Sequence, residues 1–195
     1  MTRLNPRRRT EQRAQAGEGP SERFLELARR SREELEEVML RGHTPDLDEL
    51  VGWEFSGINT PRWARAAGIK KFAKGFERRD GGDPDRGPRV LGYNRPVTQD
   101  RLRDTWRVGD RRFGWFRVAP VDPTERDNAY LHALLLDYGR GGNRPWDPTG
   151  TLRDYLVQVD PADPDLYLGK AYLALGPARV PVSYFVLERL RRVPG

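Results

Sequence analysis

The pattern of hydrophobic and polar positions divides the chain into one helical region and a longer region of short strands. Between Ser21 and Arg41 apolar residues recur at roughly helical spacing. Ser21 is a residue type that caps helices, and Gly42 is a typical stop just beyond a helix. The pattern therefore predicts one surface helix over residues 21–41.

From Asp48 onward short β-like runs are separated by Gly, Pro, Asn and Asp. Thr60-Pro61 interrupts them with the expected start of a short helix that ends near Ala67. Successive strands without long helices between them are typical of an antiparallel sandwich or barrel. The pattern predicts eight strands: Leu50–Gly57, Ile69–Arg78, Arg89–Tyr93, Arg112–Ala119, Ala129–Tyr138, Thr151–Val159, Leu166–Leu175 and Val180–Leu190.

Two of these strands are apolar on both faces, which indicates cover on both sides. In a barrel one face lines the interior, and the other needs a helix, a crossing loop or a partner chain. The helix over residues 21–41 is one candidate cover and a homodimer is another. The opposed sets are Leu131, Ala133 and Leu135 against Leu134, Leu136 and Tyr138, and Val182, Tyr184 and Val186 against Phe185 and Leu187.

Composition and charge indicate how the chain is divided into a tail and a domain. The 195 residues are 36% hydrophobic and 33% charged, and we predict a disordered basic tail over residues 1–20 and a single domain over residues 21–195. Five arginines and one glutamate between residues 1 and 15 contribute +4 of the formal net charge of +6. The basic excess therefore belongs mainly to the tail, which argues against a nucleic-acid-binding face on the domain.

Several classes of site are excluded by residue type. The chain has no cysteine, and its two histidines, His43 and His132, have no neighbours at metal-ligand spacing. We therefore expect no metal site and no cofactor. No stretch approaches the ~20 apolar residues of a membrane span, and no signal peptide is recognisable, so we expect a cytoplasmic protein. The high Arg, Ala, Gly and Pro content is typical of bacterial coding.

Two short segments at the ends of the strand region carry a family resemblance. Gly52-Trp53 opens the first strand after a helical lead-in, and the last strand reads Tyr184-Phe185-Val186-Leu187-Glu188-Arg189. The first segment resembles the G-x-W signature of lipocalin-like (calycin) β-barrels, here with Gly and Trp adjacent. The second is similar to the last strand of bacterial lipocalin-like families of unknown function.

The resemblance implies an antiparallel eight-stranded barrel with a binding cavity. It also implies that Trp53 packs under Arg189 and closes one end, because a guanidinium stacks well on an indole face. The helix predicted at residues 60–67 resembles the lid of the fatty-acid-binding branch. No reaction follows from the resemblance.

A barrel of eight strands either fills its interior with side chains or holds one small ligand. The segment Leu152–Leu156 places Arg153 and Asp154 on opposite faces of one strand, so one of these charges should face the interior. An internal ion pair or a wet charge at the barrel mouth would explain the same pattern. The candidate polar anchors for a ligand are Tyr93, Asn94, Asp137, Tyr138, Arg153, Asp154, Tyr155, Lys170, Tyr172 and Tyr184.

The sequence thus favours a binding protein over an enzyme, with a small hydrophobic or amphipathic molecule as its partner. One alternative is an enzyme that uses an Asp or Tyr of the cavity as acid–base on a hydrophobic substrate. Another is nucleic-acid binding through the basic tail. Aromatic residues interleaved with arginines over residues 103–117 suit either base stacking or a barrel strand with arginine stems over aromatic rings.

Overall fold

The structure is a computed structural model that describes residues 19–60, 64, 68–79 and 89–193. Its helices are α1 (Glu22–Arg29), α2 (Arg32–Arg41) and α3 (Leu47–Leu50). Two short 3-10 turns, Tyr138–Arg140 and Pro148–Thr151, lie on either side of the loop that follows the fifth strand. The strands are β1 (Trp53–Asn59), β2 (Lys71–Arg79), β3 (Arg89–Pro96), β4 (Phe113–Pro120), β5 (Leu134–Asp137), β6 (Leu152–Asp160), β7 (Asp163–Leu175) and β8 (Ala178–Arg192).

The strands form a closed antiparallel barrel, which confirms the predicted fold class. Each strand pairs with the next one in the chain, and β8 pairs with β1 to complete the ring. Closure leaves none of the eight described strands at the edge of an open sheet. Inside the barrel, Gly169 lies directly opposite the ring of Phe185 on the paired strand. A Cβ at Gly169 would lie 2.1 Å from that ring, so only glycine fits here.

Two strands start three or more residues later than the sequence pattern predicted. Residues 47–50 form α3, capped by the side chain of Asp46, so β1 begins at Trp53 and not at Leu50. Gly52 makes the change of direction between them at φ +79°, a conformation that glycine adopts without strain. β5 begins at Leu134 and not at residue 129, and Leu131 is exposed.

The single helix predicted over residues 21–41 is wrong in one respect, because the structure has two helices there. Arg30 is extended (φ −60°, ψ 153°), and Ser31 starts α2. Ser31 and Glu34 form a capping box, in which each side chain accepts a hydrogen bond from the other residue's backbone N–H. This local motif ends α1 at Arg29, whereas the periodicity predicted one helix as far as Arg41. The predicted cap of α1 by Ser21 is confirmed.

Apolar residues form two layers separated by the barrel wall. The inner layer fills the end of the barrel near Trp53 and includes Phe55, Phe76, Phe116 and Tyr167. The outer layer lies between the barrel and the helices; it includes Phe24, Leu35 and Met39 from the helices and Tyr184 and Val186 from β8. The predicted cover of the two-faced strands by helices is therefore observed.

One residue of β8 faces the opposite side from its prediction. A register shift between Ala171 and Tyr172 places Ser183 and Pro181 opposite these two residues and leaves Val182 between them. Val182 packs against the inner layer, whereas Tyr184 and Val186 belong to the outer one. The strict alternation of the strand is broken by the extra residue of the bulge.

Two predictions lie outside the described residues. These are the basic tail, of which residues 1–18 are not described, and most of the short helix at 60–67. Within the described ranges, no helix combines the length and the apolar character needed to cross a membrane.

Candidate functional site

A cavity of about 370 Å³ occupies the end of the barrel opposite Trp53. Its lining comes from the end of β1, the start of β2, the end of β3 and the start of β6, together with the bulged part of β8. Most of the lining surface is apolar. The apolar side chains include Phe72, Leu152, Ala171, Val182 and Phe185, and the polar ones deepest in the barrel are Lys74, Asn94, Tyr138 and Asp154.

The four deep polar residues form one hydrogen-bonded group, which we call the polar cluster (Lys74, Asn94, Tyr138 and Asp154). The Lys74 ammonium donates to Asn94 Oδ1 at 2.9 Å and to the hydroxyl of Tyr138, and it lies 3.4 Å from Asp154 Oδ2. Tyr138 in turn donates to Asp154 Oδ2 at 3.2 Å. All four residues come from different strands or strand ends, so the barrel framework fixes their positions.

Asn94 and Tyr138 are held by their surroundings as well as by the lysine. The Asn94 Nδ2 donates to the carbonyl of Gly114 at 2.9 Å and lies 3.3 Å from the Tyr138 hydroxyl. The ring of Tyr138 packs on Phe116 with 4.9 Å between centroids. These contacts fix the positions of Asn94 and Tyr138 within the barrel.

The Lys74 ammonium lies among aromatic rings, which contribute cation–π attraction. Its Nζ is 4.7 Å from the centroid of Phe116, 5.1 Å from those of Tyr138 and Phe185, and 5.5 Å from that of Phe72. The Lys74 side chain is only 3% exposed, so little water reaches the ammonium. The charge is therefore stabilised by ring faces and by Asp154, in place of solvent.

Burial dominates the ionisation of the polar cluster. It lowers the pKa of Lys74 below its ordinary value, and the nearby Asp154 carboxylate opposes this shift. It raises the pKa of Asp154, against the lowering effects of Lys74 and Tyr138. The pKa of Tyr138 is also raised well above the ordinary value, by burial first and then by the charge of Asp154. Burial thus favours the uncharged form of each of these three groups.

One oxygen of the polar cluster is left over. Asp154 Oδ2 faces Lys74 and Tyr138, whereas Oδ1 is buried and has no hydrogen-bond partner within the part of the chain that the structure describes. A buried acceptor without a partner is unfavourable and unusual in a folded protein. Oδ1 has almost no accessible surface, so neither water nor a molecule in the cavity reaches it unless its neighbours move.

The structure places only part of the predicted anchor set at the cavity. Asn94, Tyr138 and Asp154 line it. Tyr93 lies on the outer face of the barrel, where its hydroxyl donates to Glu54 at 3.1 Å and the Arg112 guanidinium stacks on its ring at 4.2 Å. The remaining anchors also lie outside the barrel, in two further groups.

The first of these groups joins α2 to the barrel. Lys170 Nζ donates to Glu36 at 2.7 Å and to Tyr130 at 2.6 Å, and the hydroxyls of Tyr130 and Tyr184 also donate to Glu36. Tyr172 lies beside Tyr130 and packs edge-to-face on Tyr155. Burial lowers the pKa of Lys170, but its hydrogen bonds outweigh that effect, so the pKa is raised.

The second group is a cluster of ion pairs on the surface. Arg153 lies between Asp127 and Asp137, with nitrogen–oxygen distances of 3.3 and 3.1 Å, and Arg179 also pairs with Asp127. A depression of about 420 Å³ next to this cluster is lined by both aspartates and by Arg140. Opposite charges balance here, and the described residues contain no set of three acidic or histidine side chains arranged to hold a metal ion.

Lys74 belongs to the polar cluster but was not among the anchors predicted from the sequence. A usable signal was present, since Lys74 alternates with Phe72 and Phe76 in a predicted strand and therefore shares their face. The same rule applies to Asp154, which alternates with Leu152 and Leu156. The structure pairs these two inward charges across the barrel, and Arg153 points outward.

The other end of the barrel is sealed by side chains. The Arg189 guanidinium is 4.5 Å from the centroid of Trp53, is fully buried, and donates to the carbonyl of Pro164 at 2.7 Å. It also forms ion pairs with Glu49 at 3.3 Å and with Asp165 at 2.8 Å. Arg192 covers the same indole from the exposed side at 4.7 Å.

The aromatic residues of the segment 103–117 do not form one stacking surface. Trp106 is buried in the outer layer with Lys71 over its ring, and Phe116 lies inside the barrel. Phe113 is at the cavity mouth, and Trp115 packs on Tyr93 on the outer face.

No protein-family model matches the chain, and neither the curated proteins nor the solved structures contain a match. The fold and the sites described above therefore rest on the residues of this chain alone.

Proposed function

We propose that this chain binds a small, partly apolar molecule in the cavity of its barrel. The observation that carries the proposal is a pre-formed apolar cavity of about 370 Å³ with a single polar cluster at its base. This volume lies within the range of small-molecule sites, and an apolar lining with few polar groups is their usual composition. The aromatic and aliphatic walls contact the body of the ligand, and the polar cluster contacts its polar end.

The proposal extends to a lipocalin-like (calycin) relationship. It is supported by the closed barrel of eight antiparallel strands in chain order and by the packing of Arg189 on Trp53. In this view Trp53 and Arg189 close one end of the barrel, and the ligand enters at the other.

Acid–base catalysis on an apolar substrate is a second candidate function. It is favoured by the position of Asp154 in the cavity and by the burial that raises the pKa of its carboxyl. Lys74, 3.4 Å away, lowers that pKa and occupies the side of the carboxylate that faces Tyr138. A carboxylate without a nearby cation would be a stronger general base than Asp154 beside Lys74. Binding is therefore the simpler function.

Native mass spectrometry of the full chain, purified from the cells that produce it, tests the binding proposal. We expect an added mass that corresponds to a small molecule. Val182→Trp places a large side chain in the cavity and should abolish the added mass, whereas Val180→Trp, on the exposed part of the same strand, should retain it. Retention of the added mass by Val182→Trp would contradict the proposal.

A further inference from the structure

We propose that the ligand of the cavity ends in an uncharged polar group, such as a hydroxyl or an amide. This inference rests on the proposed binding function and names its ligand class. It excludes a carboxylate and an ammonium as the polar end, although both are common ends of small amphipathic molecules.

The donors of the polar cluster are already engaged. The ammonium of Lys74 has three N–H groups, and three oxygens surround it, from Asn94, Tyr138 and Asp154. The Tyr138 hydroxyl donates to Asp154, and the Asn94 amide donates to Gly114 and Tyr138. A carboxylate at the base of the cavity would find no free donor and would lie against Asp154.

The balance of charge disfavours an ionic ligand of either sign. Lys74 and Asp154 carry opposite charges, so the polar cluster is neutral as it stands. Two other cations line the cavity nearer its mouth, and both have partners: Lys71 pairs with Asp100, and Arg95 pairs with Glu54 at 2.8 Å. A charged ligand would leave one uncompensated charge among apolar walls, where a charge is least stable.

The shifted pKa values of the polar cluster agree with this balance. Burial lowers the pKa of Lys74 and raises that of Asp154, which means that the surroundings favour the uncharged form of each group. The same surroundings would act against a charged group of a ligand at the same depth.

Four ligands that share one apolar chain test the inference on the full-length wild-type protein: octanol, octanamide, octanoate and octylamine. We expect isothermal titration calorimetry at neutral pH to give octanol and octanamide affinities roughly tenfold or more above those of the two ions. Equal affinities for all four would overturn the inference but leave the binding function standing. Tighter binding of octanoate or octylamine would also overturn it. Failure of all four to bind would contradict the proposed function itself.

Asp154→Asn should change the order of the four affinities, an effect that misfolding would not produce. The variant removes the negative charge and leaves Lys74 as the uncompensated cation of the cavity, so the preference should shift toward octanoate by roughly tenfold or more. Asp160→Asn is the matched control, on the same strand at the opposite end of the barrel, and should keep the wild-type order. An unchanged order in a folded Asp154→Asn variant would overturn the inference. If that variant does not fold, the wild-type series decides alone.

Discussion

Lys74 and Asp154 are opposite charges almost without exposure to solvent, with side chains 3% and 4% exposed. Two charges taken out of water lose more solvation than one ion pair at 3.4 Å restores, unless further hydrogen bonds assist. Asn94 and Tyr138 supply those bonds to Lys74, and Tyr138 supplies one to Asp154. The pair therefore depends on its neighbours, and the loss of either charge should be costly.

Removal of the cation should make the stability depend on pH. Lys74→Met leaves Asp154 buried without its counter-charge, which should destabilise the fold by about 3–5 kcal/mol near neutral pH. The pKa of Asp154 is already raised by burial and should rise further, since Lys74 lowers it. An acid whose pKa is higher in the folded state than in the unfolded state does not lower the free energy of unfolding at a pH below both values. It lowers that free energy as the pH rises above the unfolded-state pKa. Urea unfolding at about pH 4 and about pH 8 should show the larger deficit at the higher pH.

The double variant Lys74→Met, Asp154→Asn is the control for this prediction. It removes both charges, and replacement of a whole buried pair is often nearly neutral. Its unfolding free energy should exceed that of Lys74→Met, and its difference from wild type should depend less on pH. A deficit of Lys74→Met that does not change with pH would contradict the role of the Asp154 carboxyl.

At this scale the sequence predicted the existence of an inward charge but not its partner. Alternation along one strand shows which side chains share a face, so Asp154 and Arg153 had to point in opposite directions. The pairing of Asp154 with Lys74 links residues 80 positions apart and depends on how the barrel closes. Lys170 and Tyr184 illustrate the same limit, since residues on an outer face resemble interior ones when helices cover them.

Among the elements, α2 shows how a helix is fixed to the barrel. Glu36 points from α2 to a lysine and two tyrosines of the outer layer, and it is the only acidic partner of Lys170 that the described residues provide. The apolar residues Leu35 and Met39 hold the same helix by burial. Apolar contacts thus fix the face of the helix, and Glu36 fixes its position along the barrel.

Glu36→Ala should loosen α2 without opening the barrel. The change leaves Lys170 without its carboxylate, so we expect amide hydrogens of α2 to exchange about tenfold or more faster than in wild type. The amides of β6 and β7 should keep most of their protection. Hydrogen–deuterium exchange followed by mass spectrometry measures both.

Glu37→Ala is the matched control, one residue along the same helix. Glu37 is exposed and forms only a 3.9 Å pair with Arg41, so its loss should change exchange little. Equal effects of the two variants would show that α2 is held by its apolar residues alone.

Element types were more predictable than their ends. All eight strands were predicted from short apolar runs and the turn residues between them. The break at Ser31 and the helix before Trp53 were missed because a capping box or a single glycine acts over a few residues, below the length of any periodic signal. The bulge at Val182 was missed because a one-residue insertion depends on the partner strand.

For the molecule as a whole, the two ends of the barrel differ in how their interior is filled. Aromatic rings and Arg189 fill one end, and the cavity with its polar cluster occupies the other. The filled end supplies packing that holds the strands in register. At the cavity end, Oδ1 of Asp154 has no hydrogen-bond partner among the described residues, which costs stability.

Arg189→Lys tests whether the two ends of the barrel are independent of each other. A lysine keeps the charge but cannot stack on Trp53 while it reaches Pro164, Glu49 and Asp165, so we expect a loss of about 2 kcal/mol in unfolding free energy. Arg192→Lys, at an exposed site over the same indole, should change it by less than about 0.5 kcal/mol. The folded Arg189→Lys protein should still carry the added mass that Val182→Trp loses, because the cavity lies at the other end. Loss of both stability and added mass in Arg189→Lys would mean that the two ends are coupled, and the division of the barrel into a structural end and a binding end would be wrong.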